Sequence, residues 1–158
     1  MLGVKSSFPF FIGLGLIILF VVVAVLYQNA SSTATETYQP SPPAEVVRQY
    51  FVSWNEKRYP DMYATLSDGF KKIDPNAKDL ATFRQFASSQ GIEKVKIIGI
   101  TEKSNDGQTA TVDYSVEFML GSGSTQPFQG TYTLKYRQSD VILGWKLIHP
   151  YGKNIDTS

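Results

Sequence analysis

The chain has 158 residues, with 15 Lys and Arg against 14 Asp and Glu, one His and no Cys. This length accommodates one ordinary domain with an appended segment, since domains typically contain about 100–150 residues. A formal net charge of +1 excludes broad electrostatic binding of nucleic acid. The absence of Cys excludes disulfides and cysteine nucleophiles, and a single His excludes a multi-histidine metal site. We therefore expect no nucleic-acid partner, no metal and no cofactor.

Residues 8–27 form an apolar segment that is long enough to cross a bilayer. These twenty residues carry no charge, and about 20 apolar residues span the hydrocarbon core. Lys5 precedes the segment, and the next basic residue after it is Arg48. Since basic flanks stay in the cytoplasm, the pattern predicts a cytoplasmic tail at residues 1–7 and a single-pass transmembrane helix at residues 8–27. Everything after residue 27 is then extracytoplasmic, on the outer face of the cytoplasmic membrane.

A cleaved signal peptide is the alternative interpretation of the same segment. Its apolar core normally runs about 7–15 residues and ends in small residues at positions −3 and −1. The best cut here, after Ala30, places Gln28 at −3. The sequence therefore favours an uncleaved signal-anchor.

Residues 28–41 are predicted to be a flexible linker. They are rich in Ser and Thr and contain one charge, Glu36, so they cannot bury enough apolar surface to offset the entropy of ordering. Fourteen such residues have a root-mean-square end-to-end distance of ~20 Å. We expect a tether that lets the following domain move just above the bilayer.

Residues 42–151 are predicted to form one α+β domain that begins with three helices, followed by a C-terminal tail at residues 152–158. Ser41 as N-cap and Pro42 at the first helical position start the first helix. Apolar residues then follow at helical spacing: Val46, Val47, Tyr50, Phe51 and Trp54. A short second helix includes Met62 and Leu66, Phe70 and Ile73 lie in an extended piece, and Asp79 caps a third helix.

From residue 92 onwards the period changes to two, which predicts a four-stranded antiparallel sheet. The turn at Asn105-Asp106-Gly107 is a strong hairpin signal, and a second turn follows at residues 121–124. The apolar positions of the last strand are Val141, Leu143, Trp145, Leu147 and His149. Three helices packed on one face of a curved meander complete the predicted domain.

This order of elements resembles the NTF2-like fold, a cone-shaped α+β architecture. More narrowly, the domain is similar to the NTF2-like domain at the N-terminus of penicillin-binding transpeptidases, over about residues 42–151. The resemblance rests on the run AEVVRQYFVSW at residues 44–54, YPDMY at residues 59–63, Thr82-Phe83 and Trp145-Lys146-Leu147. Because the transpeptidase catalytic domain is absent from this sequence, no acyl-transfer activity is implied. A membrane-anchored component of type IV secretion machinery has the same plan of anchor and fold.

Enzymes on this fold work inside the cone, with a carboxylate or a His–Asp pair that faces the cavity. The apolar face of the predicted sheet carries no Asp or Glu, and Asp113 and Glu117 fall on the opposite face. A base would therefore come from the helices, where Glu56 and Asp61 are the candidates. We expect a protein that is not an enzyme, with a lyase or isomerase as the least favoured alternative.

Two surfaces are candidate binding sites. The cone predicts a pocket for a small apolar ligand, or alternatively a filled core, at Tyr50, Trp54, Tyr63, Tyr114, Tyr132, Trp145 and His149. The polar face of the sheet predicts a protein-binding surface at Thr111, Asp113, Lys135 and Arg137. The main hypothesis is an extracytoplasmic, prokaryotic interaction module that engages envelope proteins and is compatible with a homo-oligomer. A small-ligand carrier or sensor is the alternative.

Overall fold

The computed structural model describes residues 38–150, which form four helices and one sheet. The elements are α1 (Pro43–Asn55), α2 (Tyr59–Ala64), α3 (Asp68–Ile73), α4 (Leu80–Ser89), β1 (Ile92–Asn105), β2 (Thr109–Leu120), β3 (Thr125–Arg137) and β4 (Gly144–Leu147). All neighbouring strands are antiparallel, and the strand order is β1-β2-β3-β4. The α+β layout with four antiparallel strands is confirmed, with one helix more than predicted.

The predicted cytoplasmic tail at residues 1–7, the transmembrane helix at residues 8–27, most of the linker at residues 28–41 and the tail at residues 152–158 lie outside the described residues. Within residues 38–150, no helix has the length and apolar character needed to cross a membrane.

Helix α1 begins one residue later than predicted. Pro42, not Ser41, occupies the N-cap position, with φ −57° and ψ 155°, and Pro43 stands in the first turn. A residue that precedes proline is driven out of the helical region by the proline ring, so Pro42 is extended and the helix starts at Pro43. The carbonyl of Pro42 accepts the N–H groups of Glu45 and Val46, and no side chain caps the helix.

Helix α3 replaces the extended segment that was predicted around Phe70 and Ile73. Its N-cap is Ser67, whose hydroxyl accepts the N–H of Phe70 at 2.9 Å. A capping hydroxyl satisfies one of the donors that a helix start leaves without a partner. The prediction was wrong because a six-residue helix is too short to show a clear apolar period.

The helices cover one face of the sheet, and the alternation in β2 determines which face this is. Ala110, Val112, Tyr114 and Val116 are buried, while the residues between them lie on the other face. Phe51 and Val47 of α1 enter the same core. Strand β1 changes register against β2 at three places, and such bulges bend a strand, so the sheet curves around the helical layer.

Strand β4 is shorter than predicted and covers only Gly144–Leu147. Val141 and Leu143 lie in the preceding connection and are exposed, and His149 follows the strand. Gly144 adopts φ +129°, a conformation open to glycine, and marks the point where the connection ends. On the outer edge of β4, the backbone of Leu147 is hydrogen-bonded to Thr65 and Ser67 at 2.9 Å each.

Candidate functional site

The interior of the cone is occupied by an aromatic cluster contributed by α1, β2 and β3. Its ring centroids lie 4.6–6.5 Å from their neighbours, within the range of favourable aromatic contacts. Helical spacing places three residues of α1 over the sheet, and period-two alternation places the others beneath them. The members are Tyr50, Phe51, Trp54, Tyr114, Phe118, Phe128 and Tyr132.

Three tyrosine hydroxyls inside the aromatic cluster are connected to one another. The Tyr132 hydroxyl is hydrogen-bonded to the hydroxyls of Tyr50 and Tyr114, and the rings of Tyr114 and Tyr132 stack at 4.6 Å. Burial raises the pKa of Tyr50 and of Tyr132 far above the ordinary value, and it also raises the pKa of Tyr114. All three phenols are therefore neutral at physiological pH, and none can act there as a base.

The structure brings only some of the predicted cone residues together. Tyr50, Trp54, Tyr114 and Tyr132 belong to the aromatic cluster. Tyr63 lies elsewhere, where its ring packs on Phe83 and its hydroxyl donates to the carbonyl of Ala77 at 3.0 Å.

Trp145 lies near the start of β4 and packs edge-on against Tyr136, with centroids 5.6 Å apart. It also lines a surface cleft of about 910 Å³ together with the β1–β2 turn and the end of β3. Trp145 was predicted to line the cone with the other aromatic residues, but it is not a member of the aromatic cluster.

His149 lies beside a carboxylate that the sequence analysis did not single out. Its Nε2 is 3.7 Å from Oδ2 of Asp74, and its ring packs edge-on against Phe70 at 4.9 Å. The charge of Asp74 also contributes, after burial, to the raised pKa of Tyr50 in the aromatic cluster. Asp74 follows α3, and its other oxygen accepts the N–H of Asn76 at 2.8 Å. The sequence Asp-Pro-Asn at residues 74–76 is typical of a turn, a local pattern that gives no sign of the distant histidine.

The two helical carboxylates that were candidate bases do not enter the cone. Oε2 of Glu56 lies 2.6 Å from Nε of Arg58, and Asp61 pairs with Nη1 of the same guanidinium. All three side chains are about half exposed. Among the described residues, Asp140 is the one buried carboxylate, and it pairs with Arg137. No group of three or more potential ligands in this part of the chain is placed to hold a metal ion.

Three of the four polar-face candidates lie on the face of the sheet opposite the helices. The Thr131 hydroxyl donates to Oδ1 of Asp113 at 2.6 Å, and Nζ of Lys103 lies 3.3 Å from Oδ2 of the same carboxylate. Both contacts lower the pKa of Asp113, and the hydrogen bond from Thr131 has the larger effect. Thr111 shares a hydrogen bond of 2.7 Å with Ser104. Lys135 pairs in register with Thr109 of β2 and Lys146 of β4.

Arg137 does not belong to this exposed surface. It is 7% exposed, and its Nε lies 3.0 Å from Oδ1 of Asp140, which is also buried. Alternation predicted the correct side of the strand for Arg137, but the following connection folds back and covers the guanidinium. Of the four predicted residues, Thr111, Asp113 and Lys135 therefore remain on the exposed polar face.

The sequence between residues 42 and 151 matches the family model of the NTF2-like N-terminal transpeptidase domain. The chain belongs to this family. Helices packed inside a curved four-stranded antiparallel sheet are the architecture of an NTF2-like domain, so the resemblance in the sequence is confirmed at the level of the fold. A comparison with curated proteins gave no match.

Solved structures give similar folds at low sequence identity. A Sec-C motif containing protein from Psychrobacter arcticus is 12% identical with a TM-score of 0.52, and the match covers 73% of this chain and 63% of that protein. The NTF2-like chain thus spans less than two thirds of that protein's length. An NTF2-like protein of unknown function from Exiguobacterium is 19% identical, with a TM-score of 0.42 and coverage of 65% and 95%. An NTF2-like protein from Streptomyces avermitilis, proposed to be a dehydratase, is 13% identical, with a TM-score of 0.42 and coverage of 67% and 93%.

Proposed function

We propose that the protein is a membrane-anchored, extracytoplasmic NTF2-like interaction module of the prokaryotic cell envelope, without catalytic activity. The observation that carries the proposal is the aromatic cluster inside the cone, where NTF2-like enzymes keep a cavity with an acid or base. The tyrosine hydroxyls there hydrogen-bond to each other and carry raised pKa values. The helical carboxylates pair with Arg58 outside the cone.

The anchoring part of the proposal rests on the sequence. Residues 8–27 carry no charge, and Lys5 is the basic residue on the side proposed to be cytoplasmic. The domain then lies outside the membrane, on a tether of fourteen residues at positions 28–41.

The topology can be tested with single cysteines, because the chain has no native Cys. In intact cells that express the full chain, a membrane-impermeant maleimide should label Ser122→Cys in the β2–β3 turn. Ser6→Cys should be labelled only after lysis. Labelling of Ser6→Cys alone in intact cells, or a chain that is released by alkaline carbonate, would contradict the anchored topology.

The polar face is the proposed partner surface. Its side chains are held by hydrogen bonds and ion pairs and remain accessible, whereas the opposite face of the sheet is buried under the helices. Partners are envelope proteins, or further copies of this chain in an assembly. The double charge reversal Asp113→Lys with Lys135→Glu should abolish co-purification of the partner from gently solubilised membranes. The matched control is Arg84→Glu on the exposed side of α4, and equal recovery of the partner with both variants would overturn this assignment.

The His149–Asp74 pair favours a second candidate, a small-ligand carrier or an acid–base site at the rim of the cone. The imidazole of His149, whose Nε2 lies 3.7 Å from Oδ2 of Asp74, can orient a polar group of a ligand whose apolar part contacts Phe70. Native mass spectrometry of the full chain from its own membranes separates the candidates. A small molecule that is retained by the unaltered chain and lost in His149→Gln would favour the carrier, whereas retained protein mass that survives His149→Gln supports the interaction module.

A further inference from the structure

The connection between β3 and β4 exposes an uninterrupted apolar tip. We call residues 141–143 the β3–β4 tip; Val141 is 92% exposed, Ile142 50% and Leu143 42%. Isolated exposed apolar side chains are common on soluble proteins, but three in succession at the end of a hairpin are not scattered surface residues. This tip lies outside the aromatic cluster and the polar face.

Charged side chains at its base hold the β3–β4 tip in place. Two hydrogen bonds join the tip to the start of α3. The carboxylate of Asp140 accepts the N–H of Asp68 at 2.9 Å, and the carboxylate of Asp68 accepts the N–H of Val141 at 3.0 Å. Arg137 lies 3.0 Å from the other oxygen of Asp140, and these two side chains are 8% and 3% exposed. The backbone is thus ordered before anything binds, so binding costs little further conformational entropy.

The tip lies at the end of the sheet where the chain enters the domain. Near the C-terminal end of α1, Trp54 contacts Phe118, which pairs with Gln126 near the beginning of β3. One turn earlier in the helix, Tyr50 contacts Tyr132, which lies further along β3. Helix α1 therefore runs from the end of β3 towards its beginning. Pro43 lies about 10 Å further along the helix axis from Tyr50, towards the end of the sheet at which β3 leads into the tip. The first residues of α1 and the tip therefore lie at the same end of the sheet.

We propose that the β3–β4 tip inserts into the outer leaflet of the membrane that anchors the chain; this rests on the proposed transmembrane segment. Three side chains cannot supply the ~800 Å² per partner of a standard protein interface. A bilayer requires no complementary surface, and apolar side chains gain free energy simply by leaving water. The predicted fourteen-residue linker spans ~20 Å, which keeps the bilayer surface at a high local concentration beside the tip.

The charges at the base of the tip are compatible with a lipid surface. Arg137, Lys71 and Lys146 lie around Asp68 and Asp140, and Lys71 Nζ is 3.1 Å from Asp68. This group carries a formal charge of +1, counted as three cations against two carboxylates. Anionic headgroups are attracted by positive charge and repelled by negative charge, so the base of the tip does not oppose approach to the membrane.

The test uses the full chain in vesicles of phosphatidylcholine and phosphatidylglycerol. Ile142→Cys is labelled with an environment-sensitive fluorophore, and lipids with a nitroxide on the acyl chain serve as quenchers. We expect at least a twofold loss of fluorescence at this position. Ser122→Cys, in the hairpin turn at the opposite end of the sheet, is the matched control and should lose little. Val141→Cys is a second probe of the same tip and should behave like Ile142→Cys.

Two failures can be distinguished by flotation of the vesicles. If the chain floats with the vesicles but neither tip probe is quenched more than Ser122→Cys, the inference about the tip is wrong while the anchor stands. If the chain does not float, both the anchor and the tip inference fail. Quenching at the tip that persists in Val141→Asp would also overturn the proposal, because a carboxylate at the most exposed position should reduce insertion and return the fluorescence towards the control.

Discussion

At the scale of single residues, a glycine leaves room for the ring of a tyrosine on the neighbouring strand. Gly130 pairs with Tyr114 across β2 and β3. A Cβ at Gly130 would lie 2.8 Å from the Tyr114 hydroxyl oxygen and 3.1 Å from its Cζ. The tyrosine ring cannot move aside easily, because it stacks on Tyr132 at 4.6 Å. Gly130 is therefore needed for the close approach of the ring and not for its backbone freedom.

Gly130→Ala should destabilise the domain. The added methyl group forces Tyr114 away from Tyr132, and overpacking of this kind costs about 1–3 kcal/mol in the free energy of unfolding. Urea denaturation measures the loss.

Gly99→Ala in β1 is the control, since a Cβ at that position meets nothing within 4 Å, and its stability should be close to that of the unaltered chain. Adding Tyr114→Phe to Gly130→Ala removes the closest atom and should restore part of the loss. Equal stability of Gly130→Ala and Gly99→Ala would show that the ring yields without cost.

Single residues also show where the pattern in the sequence is ambiguous. Period-two alternation placed Thr111, Asp113 and Lys135 on the polar face, as the structure does. Arg137 continues the same period but is buried, because the chain after β3 folds back and brings Asp140 beneath the guanidinium. Alternation reports the side of a strand, whereas exposure depends on what another segment places there.

At the scale of elements, the β3–β4 connection depends on one buried ion pair. Arg137 and Asp140 are paired at 3.0 Å in a site that water hardly reaches. Removing one member of a buried pair leaves the other charge without compensation, which is far more costly than replacing both. The geometry of residues 138–143 therefore depends on the pair as a unit.

Asp140→Ala should lower the free energy of unfolding by about 3–5 kcal/mol, because it removes the buried carboxylate that faces Arg137 and accepts the N–H of Asp68. The double variant Arg137→Leu with Asp140→Leu should recover a substantial part of that loss. Chemical denaturation compares the variants, and hydrogen exchange at the amides of Asp68 and Val141 reports the local opening. A double variant less stable than Asp140→Ala would contradict this account.

The elements also show how far local signals extend. Two predicted local features are present, the hairpin turn at Asn105-Asp106-Gly107 and the cap at Asp79. The carboxylate of Asp79 accepts the N–H of Thr82 at 2.7 Å, and the side chain of Asn105 accepts the N–H of Gly107 at 2.9 Å. Both features could be predicted because each depends only on residues nearby in the chain. Helix α3 and the end of β4 were not predicted correctly. Their limits depend on contacts between Ser67 and Leu147, eighty residues apart.

At the scale of the whole molecule, the buried tyrosines link stability to alkaline pH. Burial raises the pKa of Tyr50, Tyr114 and Tyr132 above the ordinary value of 10.0. The unfolded chain thus loses these protons at a lower pH than the folded chain does. Their contribution to stability is complete below about pH 10 and is lost progressively as the pH rises above it.

We therefore expect the domain to unfold cooperatively above pH 10, with ionisation of the cluster tyrosines coincident with the loss of structure. Absorbance at 295 nm reports tyrosinate, and circular dichroism reports the fold in the same titration. Tyr132→Phe should make the free energy of unfolding fall less steeply with pH in this range, because one proton fewer is released on unfolding. Full tyrosine ionisation in a domain that stays folded would disprove the linkage.

The sequence by itself determined the class of fold, the strand alternation, the family resemblance and the apolar character of residues 8–27. These properties follow from periodicity, turn chemistry and composition, which can be read from residues that are close together in the sequence. Only the tertiary structure decided which aromatic rings of α1, β2 and β3 pack together, that His149 lies beside Asp74, and that Arg137 is buried while Val141 is exposed. Each of these depends on distant segments that meet after the sheet curves, and pairings of that kind leave no period in the sequence.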